Sequence, residues 1–156
     1  MMKYAGILAL VLAASTAQAE TTHGNWKPSN EDGRCHAAAT PSATTGEIHG
    51  RGQAYVAIQN IPAEGVRGSV AFVSGTEATG DGDVKVTVDG KEFEVLPFKD
   101  SAFAASGRPE ASLVSAMRRG HELKVEWNLK NGGTVSDTYD LAGFTAAKQA
   151  IDADCR

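Results

Sequence analysis

Val84-Lys85-Val86-Thr87-Val88-Asp89-Gly90-Lys91-Glu92-Phe93-Glu94-Val95 decides the fold class of this chain. Two runs of alternating apolar and polar residues flank Asp89-Gly90. Asp-Gly suits a two-residue hairpin loop, because both loop residues need positive φ. The loop sets the register: Val88 opposite Lys91, Val86 opposite Phe93 and Val84 opposite Val95. Val84, Val86, Phe93 and Val95 then line one face. Lys85 lies opposite Glu94 on the other, a cross-strand ion pair worth about 0.2–1 kcal/mol.

The same period-2 pattern extends in both directions. Upstream, Ala54–Gln59 is a short apolar run closed by Pro62, and Val66–Ser74 follows with Val66, Val70, Phe72 and Val73. Downstream, Leu123, Val125, Trp127 and Leu129 alternate with Lys124, Glu126, Asn128 and Lys130. Asn131-Gly132-Gly133 makes a second turn, and Thr134–Leu141 returns with Val135, Tyr139 and Leu141 inward. Two helices interrupt the strands. Pro109–Arg119 has Pro109 in its first turn, Leu113 and Met117 four apart, and Gly120 as an expected left-handed cap. From near Gly143, Phe144, Ala147 and Ile151 form one helical stripe that Cys155 extends. The fold class read from this pattern is mainly β: an antiparallel β-sandwich or flattened barrel with two short α-helices, one carboxy-terminal.

Glu20–Gly52 is rich in turn formers and reads as a lead-in with one short edge strand, Cys35–Thr40, stopped by Pro41. Ser42–Gly52, with its three glycines, reads as a flexible loop. Trp26 stands out in this polar stretch. Its expected role is to dock the segment onto the core, with ligand stacking as the alternative.

Residues 1–19 have a charged start at Lys3, an apolar run from Ile7 to Ala14, and Ala17-Gln18-Ala19 before Glu20. This is a secretory signal peptide pattern, and the run is too short to persist as a membrane anchor. Residues 20–156 then form one β-rich domain, and no transmembrane segment is expected after cleavage. An even pair of cysteines in an exported chain favours a disulfide between Cys35 and Cys155. They stand 120 positions apart, so chain entropy alone puts the bridge at roughly 5 kcal/mol as an upper figure. A redox-active pair would be expected to show Cys-x-x-Cys, which is absent.

Charge narrows the partners. The chain carries 15 Lys and Arg against 19 Asp and Glu, a net charge of −4, and loss of Lys3 with the leader makes it more acidic still. Such a domain is a poor nucleic-acid binder. Arg118-Arg119 is the one local basic pair. It matches the dipole at a helix end, or recognises a carboxylate or phosphate.

The common catalytic signatures are missing: no G-x-S-x-G, H-E-x-x-H, Walker loop or dinucleotide fingerprint. His23, His36, His49 and His121 share no metal-ligand spacing, and Asp81-Gly82-Asp83 lacks the rest of a calcium loop. No catalytic residue, cofactor or metal is therefore expected. Glu92 and Glu94, like Asp137 and Asp140, read as sheet surface or helix entry. If ligand or partner contacts exist, the candidate residues are Trp26, His36, Tyr55, Trp127 and Tyr139.

The segments VKVTVDGKEFEV at 84–95, ASLVSAMRRG at 111–120 and SDTYDLAGFTAAKQAIDADC at 136–155 resemble the invasion-associated locus B family of exported alphaproteobacterial envelope proteins. The order also fits upstream, through Cys35-His36-Ala37-Ala38, Arg51-Gly52-Gln53-Ala54-Tyr55 and Pro62-Ala63-Glu64-Gly65-Val66-Arg67. The similarity spans roughly Trp26 to Cys155. Family members often carry another cysteine shortly after the tryptophan, whereas Lys27-Pro28-Ser29-Asn30 contains none, which leaves a single bridge as the expectation.

The resemblance implies a periplasmic or outer-envelope location and a β-domain without established enzymatic activity. The expected function is a binding module with a protein partner in the envelope or on a host surface, acting through the loops Ser42–Gly52 and Gly75–Asp83. The alternatives are a structural envelope-stress component, or a small-ligand carrier or enzyme with a scattered site.

Overall fold

The computed structural model describes residues 23–77, 83–130 and 132–156. Residues 1–19, expected to be a signal peptide, most of the Gly75–Asp83 loop and Asn131 of the second turn lie outside the described residues.

The strands are β1 (Lys27–Glu31), β2 (Arg34–Ala39), β3 (Ala43–Thr45), β4 (Tyr55–Ile61), β5 (Val66–Val73), β6 (Val84–Val88), β7 (Lys91–Phe93), β8 (Val95–Phe98), β9 (Ser101–Ala104), β10 (Glu122–Asn128) and β11 (Thr134–Asp140). The helices are α1 (Arg108–Arg119) and α2 (Phe144–Asp154). They build two antiparallel sheets, ordered β1-β2-β4-β5-β9-β8 and β3-β11-β10-β6-β7. The sheets stay separate rather than closing on each other, so the architecture is the sandwich and not the barrel. Alternation explains the core: Val56, Ile58, Val70 and Phe72 from one sheet, and Val86, Leu123, Val125 and Trp127 from the other, are all buried. Helix α2 packs along β1, β2 and β4, while α1 packs on β5, β9 and β6. Leu113 and Met117 of α1, and Phe144, Ala147 and Ile151 of α2, face inward.

The deciding hairpin has its expected register at Val88↔Lys91 and Val86↔Phe93. It differs beyond Phe93. Val95 pairs with Ala104 in the other sheet, not with Val84, because the chain crosses between sheets at Glu94. With Glu94 displaced, Lys85 pairs diagonally with Glu92 at 3.8 Å. Strands β8 and β9, which no sequence pattern announced, begin at this crossing.

The amino-terminal region is more ordered than its composition implied. Cys35–Thr40 is not an edge: β2 lies between β1 and β4. Asp32-Gly33 joins β1 to β2 with φ values of 51° and 80°, the same left-handed pair found at Asp89-Gly90 with 48° and 83°. Within Ser42–Gly52, read as loop, Ala43–Thr45 pairs with Ser136–Thr138 as β3. Gly120 ends α1 in extended conformation, φ −85°, rather than as a left-handed cap. Its reason is space: a Cβ there would lie 2.6 Å from Val88 Cγ1 and 2.9 Å from the Ala116 carbonyl oxygen.

Cys35 and Cys155 form the disulfide, Cα atoms 5.9 Å apart, joining β2 to the end of α2. Trp26 is fully buried. Its ring meets Phe144 edge-on at 4.8 Å, and its Nε1 donates to the Asp140 carbonyl at 3.0 Å. The turn that carries it interlocks with the start of α2. A Cβ on Gly143 would sit 2.1 Å from the His23 carbonyl oxygen, and one on Gly24 would sit 2.4 Å from that of Ala142.

Candidate functional site

The five candidate contacts separate into three buried and two accessible. Trp127 and Tyr139 lie inside the sandwich with Asp137, and Trp26 is sealed beneath the β1 turn. His36 and Tyr55 remain accessible, lining one shallow depression of about 360 Å³ on the outer face of the six-stranded sheet.

Asp137 corrects the sequence reading. It is not sheet surface: its side chain is fully buried and carries a polar cluster. Arg51 donates from Nη1 to Oδ1 at 3.0 Å and from Nη2 to Oδ2 at 2.5 Å. Thr44 Oγ1 donates to Oδ1 at 2.9 Å and Trp127 Nε1 to Oδ2 at 3.0 Å. The carboxylate thus meets a fork of two parallel bonds plus two neutral donors, which satisfies a buried charge. Strand alternation puts Asp137 on the inner face with Val135 and Tyr139, a placement the surface reading of its charge passed over. What no local pattern could supply is Arg51, which reaches it from a loop 86 residues away.

Arg51 also ties two loops together. Its Nε donates to the Ser74 carbonyl at 2.6 Å, and the next residue, Gly52, donates its N–H to the Gly75 carbonyl at 2.8 Å. The 46–54 segment is therefore anchored to the core. Tyr139 borders this cluster, and its hydroxyl is the one buried side-chain polar atom without a hydrogen-bond partner among the described residues. Burial, then the Asp137 charge, raises its pKa, with Arg51 offsetting part of that. A phenol so placed stays protonated at any physiological pH. The cluster is a structural lock: every atom of the Asp137 carboxylate is already engaged.

The accessible chemistry lies elsewhere. Among the described residues, Tyr55, Leu96, Phe98 and Phe103 are the large apolar side chains left exposed, at 38%, 54%, 60% and 38%. Strand pairing puts all four on one face. Tyr55 pairs with Val73, Val73 with Ser101 and Ser101 with Phe98, making one row across the sheet. Ala57, Ala71, Phe103 and Leu96 make the next. His36 occupies the same face, since Cys35 and Ala37 on either side of it are buried. Scattered exposed apolar residues are ordinary, but a contiguous group on one face marks an interaction surface.

A third feature is a cleft of about 600 Å³ where α1, α2 and the start of β5 meet, with Arg67, Glu110, Arg118, Lys148 and Asp152 around it. Burial disfavours the charged form of Asp152, but hydrogen bonds from Lys148 and Asn60, with the charges of Lys148 and Arg118, outweigh it and hold the carboxyl below its usual range. Among the described residues no three His, Cys, Asp or Glu side chains group closely enough to hold a metal.

Comparison with known proteins agrees with this architecture. The family model described as "Invasion associated locus B (IalB) protein" matches residues 19–152. The crystal structure of invasion associated protein B from Bartonella henselae superposes with a TM-score of 0.55 at 17% identity. The match covers 85% of this chain and 95% of that one, a similarity of fold. No curated protein sequence matches.

Proposed function

The chain belongs to the invasion associated locus B family, and we propose that it is an exported envelope module that binds a protein partner and catalyses no reaction. The leader at residues 1–19 and the Cys35–Cys155 bridge support an oxidising location outside the cytoplasm. No helix among the described residues is long and apolar enough to cross a membrane.

The observation that carries the reading is the apolar face of Tyr55, Leu96, Phe98 and Phe103. It borders β8, the last strand of its sheet, where a partner's loop or strand meets side chains and backbone together. Pro97 removes one donor from that edge, so the side chains carry most of the contact. Ser101 lies within one apolar row, and the Gln59–Ser69 pair flanks the other, a composition that suits a protein surface better than a lipid one.

Crosslinking of the tagged mature protein in its own envelope tests the reading. The unmodified chain is expected to yield a discrete partner, and Leu96→Ser with Phe98→Ser to lose it. Both residues are exposed, so stability should change by no more than about 0.5 kcal/mol each. A discrete partner retained by the double variant would refute the face, and capture of abundant neighbours alone would refute the binding role.

A further inference from the structure

The cleft between the helices owes one of its positive charges, Arg67, to an irregularity in the sheet. Gln59 pairs with Ser69, but Asn60 pairs with Arg67, leaving Gly68 as an extra residue on β5 at φ 68°. Counting back from buried Val70 and Phe72, regular alternation would turn Arg67 to the outer face. The bulge instead sets it opposite Asn60, which is 1% exposed and faces α2. Bulges re-aim side chains in this way and concentrate beside functional sites. Asn60 holds the arrangement: its Oδ1 accepts from Gly68 N at 2.8 Å, and its Nδ2 donates to Asp152 Oδ1 at 2.8 Å.

Arg67 therefore enters the cleft from the sheet, and Arg118 enters it from the last turn of α1. The local carboxylates are committed elsewhere. Glu110 Oε2 accepts from the Val70 N–H at 3.2 Å, and Asp152 takes Lys148 Nζ at 2.6 Å besides Asn60. Neither guanidinium has a carboxylate oxygen within 4.0 Å among the described residues. Among the described residues the Arg67 guanidinium makes one hydrogen bond, a long one of 3.4 Å to the Cys155 carbonyl. Two planar donor forks with no carboxylate paired to either lie beside the apolar wall of Ala111 and Val114, and with Lys148 they outnumber Glu110 and Asp152, which leaves the cleft cationic on an acidic protein.

We propose that this cleft binds an acidic peptide segment, with Arg67 and Arg118 each taking a side-chain carboxylate and Val114 packing against its methylenes. A guanidinium fork fits a carboxylate or a phosphate equally. The apolar wall of the recess, Ala111 and Val114, suits a side chain over a free inorganic ion. The cleft lies on the helix-covered side of the six-stranded sheet, opposite the exposed apolar face, so it stands independently of that surface.

The test is calorimetry and amide NMR titration of the mature chain with an octapeptide alternating Glu and Leu, its Gln counterpart, and inorganic phosphate. The Glu peptide is expected to bind and to shift Gly68, Gly107 and Val114, and the Gln peptide to bind at least about tenfold more weakly. Arg67→Gln with Arg118→Gln should weaken the Glu peptide at least about a hundredfold, if the two pairings are independent. Lys124→Gln, on β10, removes the same kind of charge at a distance and should leave affinity within about twofold. Unchanged melting temperatures separate lost binding from lost folding. Equal affinity for the Gln peptide, equal loss in Lys124→Gln, or phosphate binding more tightly than the Glu peptide would each overturn the proposal.

Discussion

Replacing Asp137 by Ala should unlock the loop that Arg51 tethers. The substitution removes an acceptor of four hydrogen bonds and leaves the Arg51 side chain, 14% exposed, without its counter-charge. It also strands the Trp127 N–H in the core. Breaking a buried pair from one side costs about 3–5 kcal/mol, a large part of the roughly 5–15 kcal/mol that holds a domain together. Arg51→Ala should cost a similar amount, because the fully buried Asp137 then keeps only neutral donors. The double variant Arg51→Ala/Asp137→Ala removes both charges and should cost clearly less than the two losses added. A coupling of at least about 2 kcal/mol is expected. Urea unfolding followed by far-UV circular dichroism gives the three free energies, and limited proteolysis reads whether the 46–54 segment has come loose. Single variants that each cost under about 1 kcal/mol and add without coupling would refute the lock.

Three further outcomes follow from the geometry. Tyr139→Phe removes a hydroxyl that has no partner, so stability should hold or rise by up to about 1 kcal/mol; a loss beyond that would reveal an unseen hydrogen bond. Gly143→Ala combines φ 89° with a Cβ 2.1 Å from the His23 oxygen and should cost more than about 2 kcal/mol, whereas Gly33→Ala, at φ 80° with nothing within 4 Å, should cost about 1. Equal costs in chemical denaturation would remove the argument from close approach. Because the folded Asp152 pKa lies below its ordinary 3.8, the stability it contributes is present above that value and is lost as pH falls through the folded one. Asp152→Asn should therefore flatten the acid limb of the stability curve below about pH 4, and an unchanged limb would contradict the assignment.

Legibility in the sequence followed the range of the interaction. Asp89-Gly90 specified its hairpin because turn geometry and alternation lie within twelve residues. Asp32-Gly33 held the same signal, obscured by Pro28, Ser29 and Asn30, whose turn chemistry outweighed a β1 strand that carries no apolar run. β8 and β9 escaped because each has four residues and Lys99 supplies their turn at φ 55°, a conformation its side chain does not advertise. Of the candidate contacts, Trp26 met its expected role as a plug. Trp127 and Tyr139 proved to be core, and only His36 and Tyr55 share an open surface.

The sequence by itself determined the antiparallel class, the two helices, the export leader as an expectation, and a cysteine pair that the fold then joined. Each rests on periodicity or on residues whose meaning survives without neighbours. Tertiary structure alone decided the partnership of Arg51 with Asp137, the sheet change at Glu94, and the bulge that turns Arg67 into the cleft. Those depend on which strands lie side by side. A polar residue's role is set by what stands within about 3 Å of it, and chain order does not carry that distance.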